Sequence, residues 1–314
     1  MILGAIEAGG TKFVCALAEY SIRDSGISDT PKLLDMLRIP TTSPSETLQR
    51  CIDYFMRASI KPKALGIGMF GPVECRRDSP QWGWTGCTPK AGWQKVDVAG
   101  TLGRALGVPV ALATDVGAAA LAEWRWGAGK GSCSCAYVTV GTGIGVGLLY
   151  DGKLLEGLSH PEAGHMQIPR IEEDSYGGCC ALHGACLEGL ASGPALRGRW
   201  GLDPAGLPAS HPAWDLEARY LGMAFANLVL IAVPERIILG GGVGLREGLA
   251  ERAEAEMRRV LGGYIEQIEA RCAGGAHVVV RAECGADAGI LGAVELAARA
   301  METRIQPGVL IAKS

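Results

Sequence analysis

The sequence lacks several features that would place it quickly. It has almost no net charge: over 314 residues, 30 Lys and Arg stand against 33 Asp and Glu, a formal charge of -3. Without a basic stripe or a helix-turn-helix pattern, neither nucleic acid nor an anionic membrane surface is an expected partner. It has no long apolar run, since the best, residues 228–233, is far too short to cross a bilayer. The opening MILGAIEAGG has neither a basic n-region nor an extended apolar stretch, so no secretory signal is expected. Two common phosphate fingerprints are missing as well. GAGKGS at 127–132 does not end in GK[ST], and no GxGxxG follows a strand-like run, so a dinucleotide fold is not supported.

What is present begins with a core. Apolar residues make up 48% of the chain, enough for one or two globular domains. The 11 cysteines are odd in number and scattered through strand-like and helix-like stretches. That argues for a reducing cytoplasm and against a disulfide framework. Cys15, Cys51, Cys272 and Cys284 read as small core filler.

The densest chemistry lies at 160–193, HPEAGHMQIPRIEEDSYGGCCALHGACLEGLASG. Cys180, His183 and Cys186 form a C-x2-H-x2-C cluster with His165 a short loop upstream. Two thiols and two imidazoles are the inventory of a closed tetrahedral zinc site. With four ligands there is no open position for an activated water, so the expected zinc is structural and a hydrolase is disfavoured. It would brace the loop that carries Glu162 and Glu188. Cys179 is a competing thiol beside Cys180, and incidental Cys and His in a loop is the bland alternative.

Local patterns give an alternating α/β order. Residues 2–18 read as strand, Gly turn, strand, and 136–150 (AYVTVGTGIGVGLLY) repeat that pattern. The repeat predicts a duplicated architecture. A Gly-rich hairpin alone is only a hairpin, but two at equivalent places in two halves can offer backbone N–H groups and the Thr11 and Thr142 hydroxyls to phosphate oxygens. Helices are expected at 45–59, 96–106, 117–126, 215–231, 245–270 and 286–301, and strands at 64–69, 108–114, 235–239 and 277–281. Gly289 and Gly292 are spaced for close packing. Asp115 ends a buried strand at a helix start, where α/β sheets place ligands, or it is an N-cap. Gly240–Gly242 after a strand either admits a flat ligand or makes a tight strand-to-helix turn. The loop from Ser79 to Trp93 carries Trp82, Trp84 and Trp93, which either line a pocket or pin a long loop.

Together these stretches resemble the ROK family of sugar kinases, and most of all its bacterial fructokinase branch. The resemblance is carried by EAGGTK (Glu7–Lys12), FGP (Phe70–Pro72), TPKAGW (Thr88–Trp93), TDV (Thr114–Val116), VTVGTGIGVG (Val138–Gly147), HPEAGH (His160–His165), CALHGACLEGLASGPA (Cys180–Ala195) and ILGGGV (Ile238–Val243). It implies an actin-like, hexokinase-like duplicated α/β fold of two lobes closing on a cleft. The expected lobes are 1–117 and 118–295, with a helix at about 296–314 packing back on the first. It implies phosphorylation of fructose at its 6-hydroxyl, with ATP, Mg2+ and structural Zn2+, in a cytoplasmic homodimer.

The resemblance also implies roles. Asp115 matches the catalytic base. Gly71, Pro72, Glu162, His165 and Glu188, with Asp115, match sugar contacts. Gly9, Gly10, Thr11 and Lys12, with Gly141, Thr142 and Gly143, match phosphate turns, and Gly240, Gly241 and Gly242 match the adenosine side. Glu7 stands where many relatives carry Asp and would hold magnesium through water. One departure is Gly117, where the family usually has a sugar-contacting Asn. Action on glucose, mannose or an N-acyl hexosamine, or a sugar-sensing regulator without catalysis, are the alternatives.

Overall fold

The computed structural model describes residues 1–21 and 29–305, with side chains described to residue 302. In chain order the main elements are β1 (Ile2–Ala8), β2 (Lys12–Glu19), β3 (Lys32–Pro40), α1 (Pro44–Arg57), β4 (Leu65–Met69), α2 (Val98–Leu106), β5 (Val110–Thr114) and α3 (Asp115–Trp126). Then follow β6 (Ser134–Val140), β7 (Ile144–Tyr150), β8 (Lys153–Leu154), α4 (Leu187–Ala191), α5 (Gly193–Trp200), α6 (Ala213–Ala232), β9 (Arg236–Gly240) and α7 (Gly241–Gly244). The chain closes with α8 (Leu249–Leu261), α9 (Glu266–Ala273), β10 (Val279–Arg281) and α10 (Ala288–Ile305).

Two compact units emerge, Met1–Ala122 with Glu156–His160 and Asp287–Ser314, and Glu123–Leu155 with Pro161–Ala286. The sequence suggested boundaries at 117/118 and about 296; the last part of the expected returning helix, 306–314, lies outside the described residues.

The first unit holds a five-stranded sheet in the order β3-β2-β1-β4-β5, and the second one in the order β10-β9-β6-β7-β8. Read from its first hairpin outward, each sheet follows one plan. The hairpin strands pair antiparallel (β1 with β2, β6 with β7), a third antiparallel strand follows, and two parallel strands extend the other side. The duplication expected from the repeated Gly hairpins is therefore a duplication of topology.

In β4 the sequence LGIGM alternates. Leu65, Ile67 and Met69 join the core with Phe13, Phe55, Leu102 and Trp93. Gly66 and Gly68 turn to the other face. A Cβ on Gly66 would lie 1.8 Å from the Ala293 carbonyl oxygen, and one on Gly68 would lie 2.8 Å from Ala118 Cβ. Gly292 completes this contact, because its Cβ would fall 1.7 Å from the Ala118 oxygen. Glycines on one sheet face and in α10 let the helices lie directly on the strand, which bears out the close packing expected of Gly289 and Gly292.

In the second unit α6 and α8 cover β6, β7 and β9, with Tyr220, Leu221, Phe225, Ile237, Leu239 and Met257 at the centre. Gly222 lets α8 approach: its Cβ would stand 2.8 Å from Met257 N.

Two expectations need correction. The single amphipathic helix expected at 245–270 is two, α8 and α9, broken where Gly262 and Gly263 take φ of 60° and 75°. β3 is a strand that the sequence pattern does not signal: Lys32–Pro40 is exposed along most of its length and shows no alternation of burial.

Candidate functional site

Strand register decides which loops gather at one edge. In the first sheet Ala8 stands opposite Met69, and Met69 opposite Thr114. The carboxyl ends of β1, β4 and β5 therefore lie in one row. The segments that follow are Gly9–Lys12, Phe70–Pro72 and Asp115, three stretches singled out from sequence. Carboxyl ends of parallel strands are where open α/β sheets bind ligands.

At this edge the Gly9 N–H donates to the Lys12 carbonyl at 2.9 Å, closing the turn, while Gly10, Thr11 and Lys12 are exposed. Phe70 N–H donates to the Ala8 carbonyl at 2.8 Å and fixes the start of the Gly71–Pro72 segment, whose peptide bond is cis. Val73 N–H donates to His160 Nε2 at 3.3 Å just beyond it. Asp115 opens α3, and its Oδ1 accepts the Val116 N–H at 2.8 Å, while Thr114 Oγ1 accepts the Gly117 N–H at 3.0 Å. Capping at this turn thus falls to Thr114 as well as to Asp115. Glu7, on β1, faces Gly289, whose Cβ would sit 2.7 Å from the Glu7 carboxyl carbon. Burial pushes the Glu7 carboxyl up from its ordinary value, with Lys12 opposing, Asp287 adding to the rise and Arg38 opposing.

The second sheet repeats the arrangement. Thr139 pairs with Gly240, so the Gly141–Gly143 turn after β6 and the Gly240–Gly242 turn after β9 share an edge. The Gly141 N–H closes on the Gly143 carbonyl at 2.9 Å. Gly240 and Gly241 are required by the fold itself: their Cβ atoms would lie 2.4 Å from the Tyr137 hydroxyl and 2.4 Å from the Val140 carbonyl oxygen, and Gly241 has φ of 83°. Only Gly242 looks into open space. The two alternatives for this triplet divide among its residues, with the tight turn taking Gly240 and Gly241.

The Cys/His segment packs on β7. Gly164, between Glu162 and His165, sits so close that a Cβ would lie 1.7 Å from the Ile144 carbonyl oxygen. Glu188, in the first turn of α4, accepts the Ile144 N–H on Oε2 at 3.0 Å. His165, Cys180, His183 and Cys186 bring their ligand atoms within 4.8 Å of one another. His165 Nδ1 lies 3.7 Å from Cys180 Sγ and 3.6 Å from Cys186 Sγ, and His183 Nδ1 lies 3.8 Å from Cys180 Sγ. Sulfur and nitrogen bound tetrahedrally to one zinc stand about 3.6 Å apart, by the usual bond lengths. The donor set and its spacing fit zinc. Cys179 is turned away, with its Sγ 3.8 Å from Ser192 Oγ.

The Trp loop resolves toward pinning at Trp93. That side chain is fully buried against Phe13 and Phe70, with centroids 5.2 and 5.6 Å away, and its Nε1 donates to the Thr42 carbonyl at 2.8 Å. Sequence reasoning missed the bonds Glu188 makes to Ile144 and His160 makes to Val73, and nothing in the local pattern signals either.

The ROK family model matches residues 3–300. The chain is 41% identical over 307 residues to the putative fructokinase of Bacillus subtilis (strain 168), across 98% of this chain and 99% of that one. It is 40% identical over 306 residues to the fructokinase of Zymomonas mobilis, across 94% and 96%. Among solved structures, the ROK hexokinase from Thermus thermophilus superimposes with a TM-score of 0.73 at 30% identity, covering 98% of this chain and 100% of that one.

Proposed function

The chain belongs to the ROK family, and from that premise we propose that it is an ATP-dependent hexose kinase converting D-fructose to fructose 6-phosphate. The observation that carries the choice of sugar is near-full-length identity of 41% and 40% to two relatives named as fructokinases.

Phosphoryl transfer asks for alignment and charge neutralisation more than covalent help. Asp115 is the base. Its carboxyl, oriented by the Val116 N–H, takes the proton of the sugar 6-hydroxyl as that oxygen bonds to the γ-phosphorus and the bond to the β,γ-bridging oxygen breaks. Gly71, Pro72, Glu162, His165 and Glu188 contact the sugar hydroxyls. The Gly9–Lys12 and Gly141–Gly143 turns hold phosphate oxygens with backbone N–H groups, and Lys12 adds charge. Gly240–Gly242 lies along the adenosine. The Glu7 carboxylate is of the oxygen-donor kind that suits Mg2+, which when bound with ATP neutralises phosphate charge.

His165, Cys180, His183 and Cys186 hold zinc, whose contribution is structural. Because Nδ1 of His165 faces both thiols, its Nε2 is the atom assigned to the sugar. None of the 11 cysteines is joined in a disulfide, which supports a cytoplasmic protein, and no described helix is long and apolar enough to cross a membrane. A homodimer follows from the resemblance, and sedimentation tests it.

Phosphorus NMR of the product made from D-fructose, ATP and Mg2+ tests the reaction. A phosphomonoester at C6 is expected; one at C1, or none, overturns the assignment.

A further inference from the structure

Ile144 is the first residue after the Gly141–Gly143 turn, and two sugar-contact segments close on it. Its carbonyl oxygen is the surface on which Gly164 rests, between Glu162 and His165. Its N–H is taken by Glu188 Oε2 at 3.0 Å. The turn is held from α5 as well, where the Gly193 N–H donates to the Gly141 carbonyl at 2.7 Å. Gly143 completes the fit, since a Cβ there would stand 2.7 Å from Glu188 Oε2. The turn is therefore fastened at both ends by one short stretch, Glu188 to Gly193, leaving the Thr142 and Gly143 N–H groups between the two fastenings. Cys186, a member of the metal cluster, is the N-cap residue of the helix that carries Glu188.

We infer that Glu188 is a positioning residue for the nucleotide-phosphate turn, in addition to its sugar contact, so that losing its bond to Ile144 weakens nucleotide binding even when no sugar is present. The inference rests on the reading of Gly141–Gly143 as a phosphate turn. A hydrogen bond to a charged acceptor is stronger than a neutral one, and its loss frees the backbone that presents the neighbouring N–H groups. One carboxylate oxygen serves the backbone, and the sugar contact falls to the other. Coulomb repulsion between Glu188 and a bound phosphate acts in the opposite sense, so the variants must separate charge from hydrogen bond.

Three variants make that separation. Glu188→Gln keeps an acceptor oxygen at the same reach and loses the charge. Glu188→Asp keeps the charge and is one methylene too short for the bond. Glu188→Ala loses both. The readout is calorimetric binding of a non-hydrolysable ATP analogue with Mg2+, without sugar, on the full chain, with thermal unfolding confirming that each variant folds. Glu188→Ala and Glu188→Asp are expected to weaken nucleotide binding by roughly tenfold, with Glu188→Gln within about threefold of wild type. If Glu188→Ala does not fold, the Asp and Gln pair decides alone. Unchanged nucleotide affinity in Asp and Ala, with only fructose binding lost, would show a sugar contact and nothing more. Tighter binding in both Gln and Ala would show that repulsion dominates and overturns the inference. A wild-type chain that binds no nucleotide overturns the kinase reading itself, and the inference with it.

Discussion

Asp115 is placed by two separate features, the end of β5 in register with β1 and β4, and the first turn of α3, where backbone N–H groups favour an anionic side chain. Thr114 Oγ1 shares the capping at this turn, so removing the Asp115 charge leaves the helix start supported. Asp115→Asn is expected to lower kcat by about a hundredfold to ten-thousandfold, the usual range for a general base, with unfolding temperature and fructose affinity nearly unchanged. Near-normal turnover would remove Asp115 from the base role.

At the far end of the second sheet, His277 Nδ1 lies 2.6 Å from Glu254 Oε2, and this hydrogen bond, with the carboxylate's charge, raises the imidazole above its ordinary value. Its stabilisation is present in full below the unfolded pKa of about 6.5 and is lost as pH rises through the raised folded value. The unfolding-temperature gap between wild type and His277→Gln is therefore expected to be widest near about pH 6 and to narrow as pH rises through the raised folded value. At this scale the sequence was legible where chemistry is local: C-x2-H-x2-C spacing, paired Gly-Thr turns, a carboxylate between strand and helix. It was silent about the Glu188 bond, whose partner is 44 residues away.

Among the elements, α10 decides the first unit. It lies on β4 because Gly66 carries no Cβ to meet the Ala293 carbonyl oxygen, while Gly68 and Gly292 leave room for Ala118 of α3. Gly292→Ala would drive a methyl into the Ala118 carbonyl, a backbone atom that cannot swing away. The expected cost is roughly 1–3 kcal/mol or more, read as a lowered midpoint in urea unfolding. An unchanged midpoint would mean the helix sits farther from α3 than the structure has it. Helices and strands were legible wherever apolar periodicity met a breaker, as for α1, β4 and α6. β3 escaped because an exposed edge strand has no buried face to impose alternation. The false join of α8 and α9 came from a charged face that continues across them, although the Gly262-Gly263 pair carried the breaker signal.

The Cys/His loop is an element of its own, with little regular structure around the cluster, so on the zinc proposal its order is expected to depend on the metal. Purified protein is expected to carry about one zinc per chain, and chelation is expected to lower the unfolding temperature. Full activity at less than about a tenth of a zinc per chain would contradict this.

For the molecule as a whole, two sheets of one topology each present a Gly-rich turn at the carboxyl edge of their strands. The repeated hairpins made this duplication legible early, because the pattern of strand, Gly turn and strand is local and occurs twice. Sugar preference is a different matter. It depends on side chains brought together by tertiary structure, which local sequence patterns do not report. Steady-state turnover with ATP across D-fructose, D-glucose, D-mannose and N-acetylmannosamine, followed by coupled ADP release, bears most directly on the proposed activity. A kcat/KM for fructose at least about tenfold above every other sugar is predicted, a gap of about 1.4 kcal/mol in transition-state binding. Equal or greater efficiency with another hexose, or no ADP release with any of them, would contradict it.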